Sequence, residues 1–70
     1  MVYQVLFKGT QYEDGLYHYR RGAEDSVKFF KKEYPAFNYE IVERPNDYIV
    51  NKSTFWATNK ERIQRLCHGQ

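Results

Sequence analysis

From Val2 to Phe7 the side chains alternate, with Tyr3, Val5 and Phe7 on one side and Val2, Gln4 and Leu6 on the other. A period of two in a run rich in β-branched and aromatic residues predicts a strand. Tyr3, Val5 and Phe7 are its expected core face, and Leu6 points to partial cover on the other. The polar stretch Lys8 to Gly15 follows, closing on Asp14-Gly15, a dipeptide suited to a tight turn. Alternation resumes over Leu16 to Arg20, so the first two strands are expected to form a hairpin.

After Gly22 the period changes. Ala23, Val27, Phe30 and Tyr34 recur at i, i+4, i+7 and i+11, one apolar stripe of a helix, with Phe29 widening one flank. Gly22 is the expected N-cap, Glu24 and Asp25 suit the first turn, and Lys31 and Lys32 suit the last. Pro35 ends the helix at Tyr34, because a residue before proline is pushed out of helical angles. Phe37 to Arg44 returns to a period of two. Pro45-Asn46-Asp47 marks a turn, and Tyr48 to Val50 predicts a short fourth strand. Thr58-Asn59-Lys60-Glu61 matches a capping box and opens a short last helix. Ile63 and Leu66 share one face of it, Cys67 lies beside them, and Gly69 is its expected C-cap. A helix this short must dock or fray.

The order is therefore β-β-α-β-β-α. It predicts a two-layer α+β fold, a small, mostly antiparallel four-stranded sheet with the main helix on one face. Residues 1–70 make a single small domain.

Composition says how such a chain is held together. At 70 residues the core is thin, and chains of this size bury only about 60% of their unfolded surface. One cysteine rules out an internal disulfide, and Cys67, His18 and His68 are too few ligands for a closed zinc site. Seven Tyr, five Phe and one Trp must supply the core volume instead. No apolar run reaches the length of a membrane span and the start lacks a signal-peptide pattern, so a soluble, cytoplasmic protein is expected. No cofactor or metal motif is legible.

Charge changes the picture only locally. Residues 1–49 carry seven basic and eight acidic side chains, whereas residues 50–70 carry four basic and one acidic. Tyr17-His18-Tyr19-Arg20-Arg21-Gly22 brings rings and guanidiniums together, the pairing that binders of single-stranded nucleic acid use. A nucleic-acid surface would draw on Arg20, Arg21, Lys28, Lys31 and Lys32. Strand alternation divides the cluster, however, sending Tyr17 and Tyr19 to the core side and leaving His18 and Arg20 outside. The Gly-aromatic signature of RNA-recognition strands is absent.

Catalysis finds little purchase. Glu40 and Glu43 lie three apart in a strand and so on opposite faces. Glu13-Asp14 and Glu24-Asp25 fit a turn and a helix start. No nucleophile is tied to His18, and no glycine loop cradles phosphate. A non-enzymatic chain is expected.

Protein binding remains. The aromatic content exceeds what a small two-layer core is expected to hide, and Tyr, Trp and Arg are the residue types enriched at interface hot spots. Tyr12, Tyr48, Phe55 and Trp56 are the candidate anchors, with Arg62 and Arg65 as orienting charges. An open sheet edge or face would also permit a homo-oligomer. The strand–strand–helix–strand order over residues 2–44 is similar in architecture to small intracellular and bacteriophage regulators, such as bacteriophage inhibitors of host RNA polymerase. That resemblance implies a stand-alone chain acting by occupying a partner's surface. The expected function is a protein-binding module, a stoichiometric regulator or inhibitor; the alternative is weak nucleic-acid binding.

Overall fold

In the computed structural model, residues 1–68 are described, and the alternating segments become a three-stranded antiparallel sheet in the order β2-β1-β3. β1 (Val2–Lys8) is the central strand, β2 (Glu13–Tyr17) and β3 (Asn38–Arg44) its neighbours, and the helix α1 (Arg20–Glu33) covers one face. A 3₁₀ turn over Trp56–Asn59 leads into α2 (Lys60–Cys67). The class is α+β. No helix among the described residues is long and apolar enough to cross a membrane.

Both faces of β1 are covered. Val5 and Phe7 are wholly buried beneath α1, as the alternation required, with Tyr3 packed beside them. On the reverse face Val2 and Gln4 are buried as well.

The hairpin closes earlier than the Asp-Gly dipeptide suggested. Phe7 N–H donates to the Tyr12 carbonyl, and the intervening loop uses Gly9 at φ +83°, where a Cβ would be strained. Thr10 fastens the loop, its hydroxyl donating to the Phe7 carbonyl at 2.7 Å and accepting from Tyr12 N–H at 3.0 Å. Asp14-Gly15 instead lies within β2, at an irregularity of register. Gln4 pairs with Leu16 but Leu6 pairs with Glu13, so three steps on β2 face two on β1. This is a β-bulge, and its extra residue turns Asp14 and Tyr17 to the same side of the sheet.

α1 begins at Arg20, before the expected cap at Gly22, with Tyr19 as an extended N-cap residue. Glu24 thereby falls outside the first turn and meets Arg20 across 3.6 Å, an exposed pair one turn apart. Ala23, Phe30 and Tyr34 are buried and Val27 packs against them, which is the predicted stripe. The helix ends at Glu33, with Tyr34 N–H donating to the Phe30 carbonyl and Pro35 following.

The expected fourth strand does not form. Tyr48 to Val50 lies outside any ladder, and Ile49 is 86% exposed. The reason is that Tyr48 is held by side chains: its ring stacks under the Arg44 guanidinium and its hydroxyl donates to Glu13 at 3.2 Å. Glu13 belongs to the far edge strand, so the segment after β3 straps across the sheet's reverse face. It ends by pairing with the β2 edge, where Glu13 N–H donates to the Thr54 carbonyl and Phe55 bridges Glu13.

The last helix also differs from its prediction. Thr58 lies inside the 3₁₀ turn, and Asn59 precedes α2 without a side-chain cap, its amide donating back to the Phe55 and Ser53 carbonyls. The core-facing pair is Ile63 and Cys67, four apart, while Leu66 is 52% exposed. Gly69 lies outside the described residues.

Candidate functional site

The two buried polar side chains lie on opposite faces of the sheet, Gln4 through the alternation of β1 and Asp14 through the bulge in β2. On the helix side, Asp14 is only 5% exposed and receives three side-chain donors. Tyr17 Oη donates to Oδ2 at 2.7 Å, Ser26 Oγ to the same oxygen at 2.6 Å, and Trp56 Nε1 to Oδ1 at 2.6 Å. These donors come from β2, α1 and the 3₁₀ turn, so one carboxylate ties three elements. A buried carboxylate is costly unless its oxygens are bonded, and here both are. Burial pushes the Tyr17 phenol up to about 12, with the Ser26 bond opposing the rise and Asp14 adding to it.

Around this clamp Asp14, Tyr17, Ser26, Phe29 and Trp56 line a hollow of about 310 Å³. Its outer rim is aromatic. Phe29 remains 49% exposed and stands 6.3 Å from Trp56, centroid to centroid. Trp56 in turn meets Phe30 edge-on at 5.1 Å, and the Lys60 ammonium lies 5.0 Å over its ring. Gly22 lines the same hollow; a Cβ there would stand 3.1 Å from the Tyr17 ring.

On the reverse face the wholly buried Gln4 is the centre of a second network. Its amide donates to the Asp14 carbonyl at 2.8 Å and to Glu13 Oε1 at 3.2 Å, and its oxygen accepts from Arg44 Nε at 2.8 Å. Tyr48 closes the group through Glu13. The two networks meet back to back at Asp14.

The expected anchors fare differently. Tyr12 is buried at 6% exposure, which withdraws it from any contact surface: it follows the hairpin loop directly and turns into the core. Phe55 and Trp56 are half-buried, the first at the β2 edge and the second packed on α1. Tyr48 is half-buried in the strap, and Arg62 and Arg65 are exposed on α2. The structure does not gather these six residues into one patch. The rings left outside are Tyr19, at 79% exposure, and Phe29. Tyr19 escapes because the strand ends at Tyr17 and its alternation no longer applies. Arg20, Arg21, Lys28, Lys31 and Lys32 are all exposed along α1.

Asp14, Ser26 and Phe29 are the residues that the linear pattern did not single out as a site. Ser26 carried a signal, since it stands three after Ala23 and four before Phe30, a small hydroxyl inside the apolar stripe. Asp14 carried none, because its direction depends on the bulge. No group of His, Cys, Asp and Glu among the described residues could hold a metal ion.

With this geometry in hand, the fold and site define a small α+β domain with an aromatic-rimmed hollow. No family model, no curated protein and no solved structure matches the chain.

Proposed function

We propose that the chain is a non-enzymatic protein-binding module, a stoichiometric regulator or inhibitor working in the cytoplasm, that engages its partner with the α1–Trp56 face. The observation that carries this reading is the half-exposed Phe29 standing against Trp56 over the clamped Asp14. A partly exposed aromatic pair on a rigid floor is the arrangement of a hot spot, because little side-chain freedom is lost on docking. Asp14 serves as the floor: its oxygens are already bonded by Tyr17, Ser26 and Trp56, which suits a clamp better than an acid or base. The partner would insert an apolar side chain beside Phe29.

The test is capture of a partner from the source cell with tagged chain, followed by purification of the binary complex. Phe29→Ser is expected to weaken the complex at least tenfold while the free chain keeps its circular dichroism and loses only about 4–8 °C in melting temperature for each kcal/mol of packing removed. A complex indifferent to Phe29→Ser removes this face from the reading, and specific capture of nothing counts against binding altogether.

A second reading rests on a separate observation, the contiguous exposure of His18, Tyr19, Arg20 and Arg21 at the start of α1. Tyr19 offers a ring for stacking a base, and Lys28, Lys31 and Lys32 extend the cationic side. Glu24, Asp25 and Glu33 interleave and weaken that field. Binding of oligonucleotides at low salt, with a salt slope reduced by Arg20→Ala and Arg21→Ala, would favour it. No binding at low salt ends it.

A further inference from the structure

β1 has a neighbour on each side, and the outer edge of β2 is met by Thr54 and Phe55. β3 differs. Its inner side is paired with β1 over seven residues, and among the described residues no other backbone group bonds to it. An unprotected edge without proline or glycine is a template for another strand.

The side chains along this edge select the partner. Glu40 and Arg44 stand on the reverse face, opposite Leu6 and Val2 of β1. Glu40 is exposed and forms no ion pair among the described residues. Arg44 is aimed: its Nε donates to the buried Gln4, and its guanidinium rests 4.6 Å from the centre of the Tyr48 ring. Its terminal nitrogens carry no bond among the described residues. One strand thus offers an unpaired carboxylate and, four residues on and on the same face, a guanidinium held by Gln4 and Tyr48 whose terminal nitrogens are free of bonds among the described residues.

We infer that β3 is a self-association edge, and that a second copy of the chain pairs with it antiparallel about a two-fold axis at Val42. Opposed residues must share a sheet face, so such an axis passes through a residue rather than between two. An axis at Glu40 or Glu43 sets like carboxylates against each other. An axis at Ile41 sets Glu40 against Val42 and Glu43 against Tyr39, with no unlike charges directly opposed. An axis at Val42 sets Glu40 of each copy against Arg44 of the other, on either side of a Val42–Val42 contact. Unlike charges directly opposite favour a cross-strand pair and like charges disfavour it. The product is a six-stranded sheet with both copies of α1 on one side. Edge pairing covers little surface, so the dimer is weak and concentration-dependent. The inference is independent of the α1–Trp56 reading and leaves that face open.

Sedimentation of the full chain over a range of concentrations tests it. The expected result is a monomer–dimer equilibrium that weakens with added salt, and that Glu40→Lys weakens roughly tenfold as two attractions become repulsions. In a Cys67→Ser background, Val42→Cys should give a covalent dimer on mild oxidation, and Glu40→Lys should suppress it. Glu40 makes no contact that folding requires, and circular dichroism checks that each variant is folded. A chain that stays monomeric at every concentration overturns the inference. So does a dimer that ignores Glu40→Lys, or one that Val42→Cys fails to trap.

Discussion

Asp14 shows how much one side chain can carry in a thin core. Its three donors come from three elements, and both of its oxygens are engaged. Asp14→Ala should therefore cost roughly 2–4 kcal/mol, since bonds to a charged acceptor contribute about 1.5–3 kcal/mol each and water recovers some of that. Urea unfolding should show a lower midpoint with an unchanged slope, and tryptophan fluorescence should report Trp56 released into water. The phenols give a second expectation. Burial raises Tyr17 and Tyr39 to about 12, and raises Tyr34 in the same direction. An unfolded tyrosine loses its proton near 10. Between those values the unfolded chain binds fewer protons than the folded one, so stability falls as pH rises. The contribution is complete below about pH 10 and lost through about pH 12. Phenolate absorbance should rise together with loss of ellipticity, and Tyr17→Phe should remove part of the alkaline slope.

Among the elements, α1 makes the sharpest case of propensity against packing. Gly22 lies inside the helix, where alanine is ordinarily better by about 1 kcal/mol. Here a Cβ would stand 3.1 Å from Tyr17, and that ring cannot retreat while its hydroxyl is held by Asp14 at 2.7 Å. Gly22→Ala should consequently lower the melting temperature. The same change in a Tyr17→Leu background should raise it, because the obstacle is gone. The α1 stripe was legible because a period of 3.6 over four apolar residues has one geometric solution. The bulge was not, because Asp14-Gly15 serves a turn and a bulge equally well at the level of local preference. Pairing with β1 decided between them.

At the scale of the whole molecule, stability depends on one aromatic cluster. Phe30 touches Phe7 at 4.8 Å, Trp56 at 5.1 Å and Tyr39 at 5.7 Å, so helix, sheet and C-terminal segment meet at its ring. A buried Phe→Ala change costs about 3–5 kcal/mol, comparable with the total stability of roughly 4–10 kcal/mol for a domain of this length. Phe30→Ala should remove a large share of that stability, visible as a melting temperature lowered by roughly 4–8 °C for each kcal/mol lost and a much lower urea midpoint. Exposed Lys28→Ala should change almost nothing. The contrast checks that the cluster, rather than α1 by itself, holds the fold.

The amino-acid sequence alone determined the alternating strands β1 and β3, the helical stripe of α1, its stop before Pro35 and the α+β class. Those features follow from side-chain period and from local sterics, which act over a few residues. Tertiary structure decided the rest. Tyr12 went into the core and Tyr19 out of it, Tyr48 became part of a strap, Asp14 turned inward, and β3 became the free edge. Each depends on pairing register or on contacts between residues far apart in the chain, such as Trp56 with Asp14 and Tyr48 with Glu13. Local preference sets which side chains alternate; only closure of the sheet sets what each one faces.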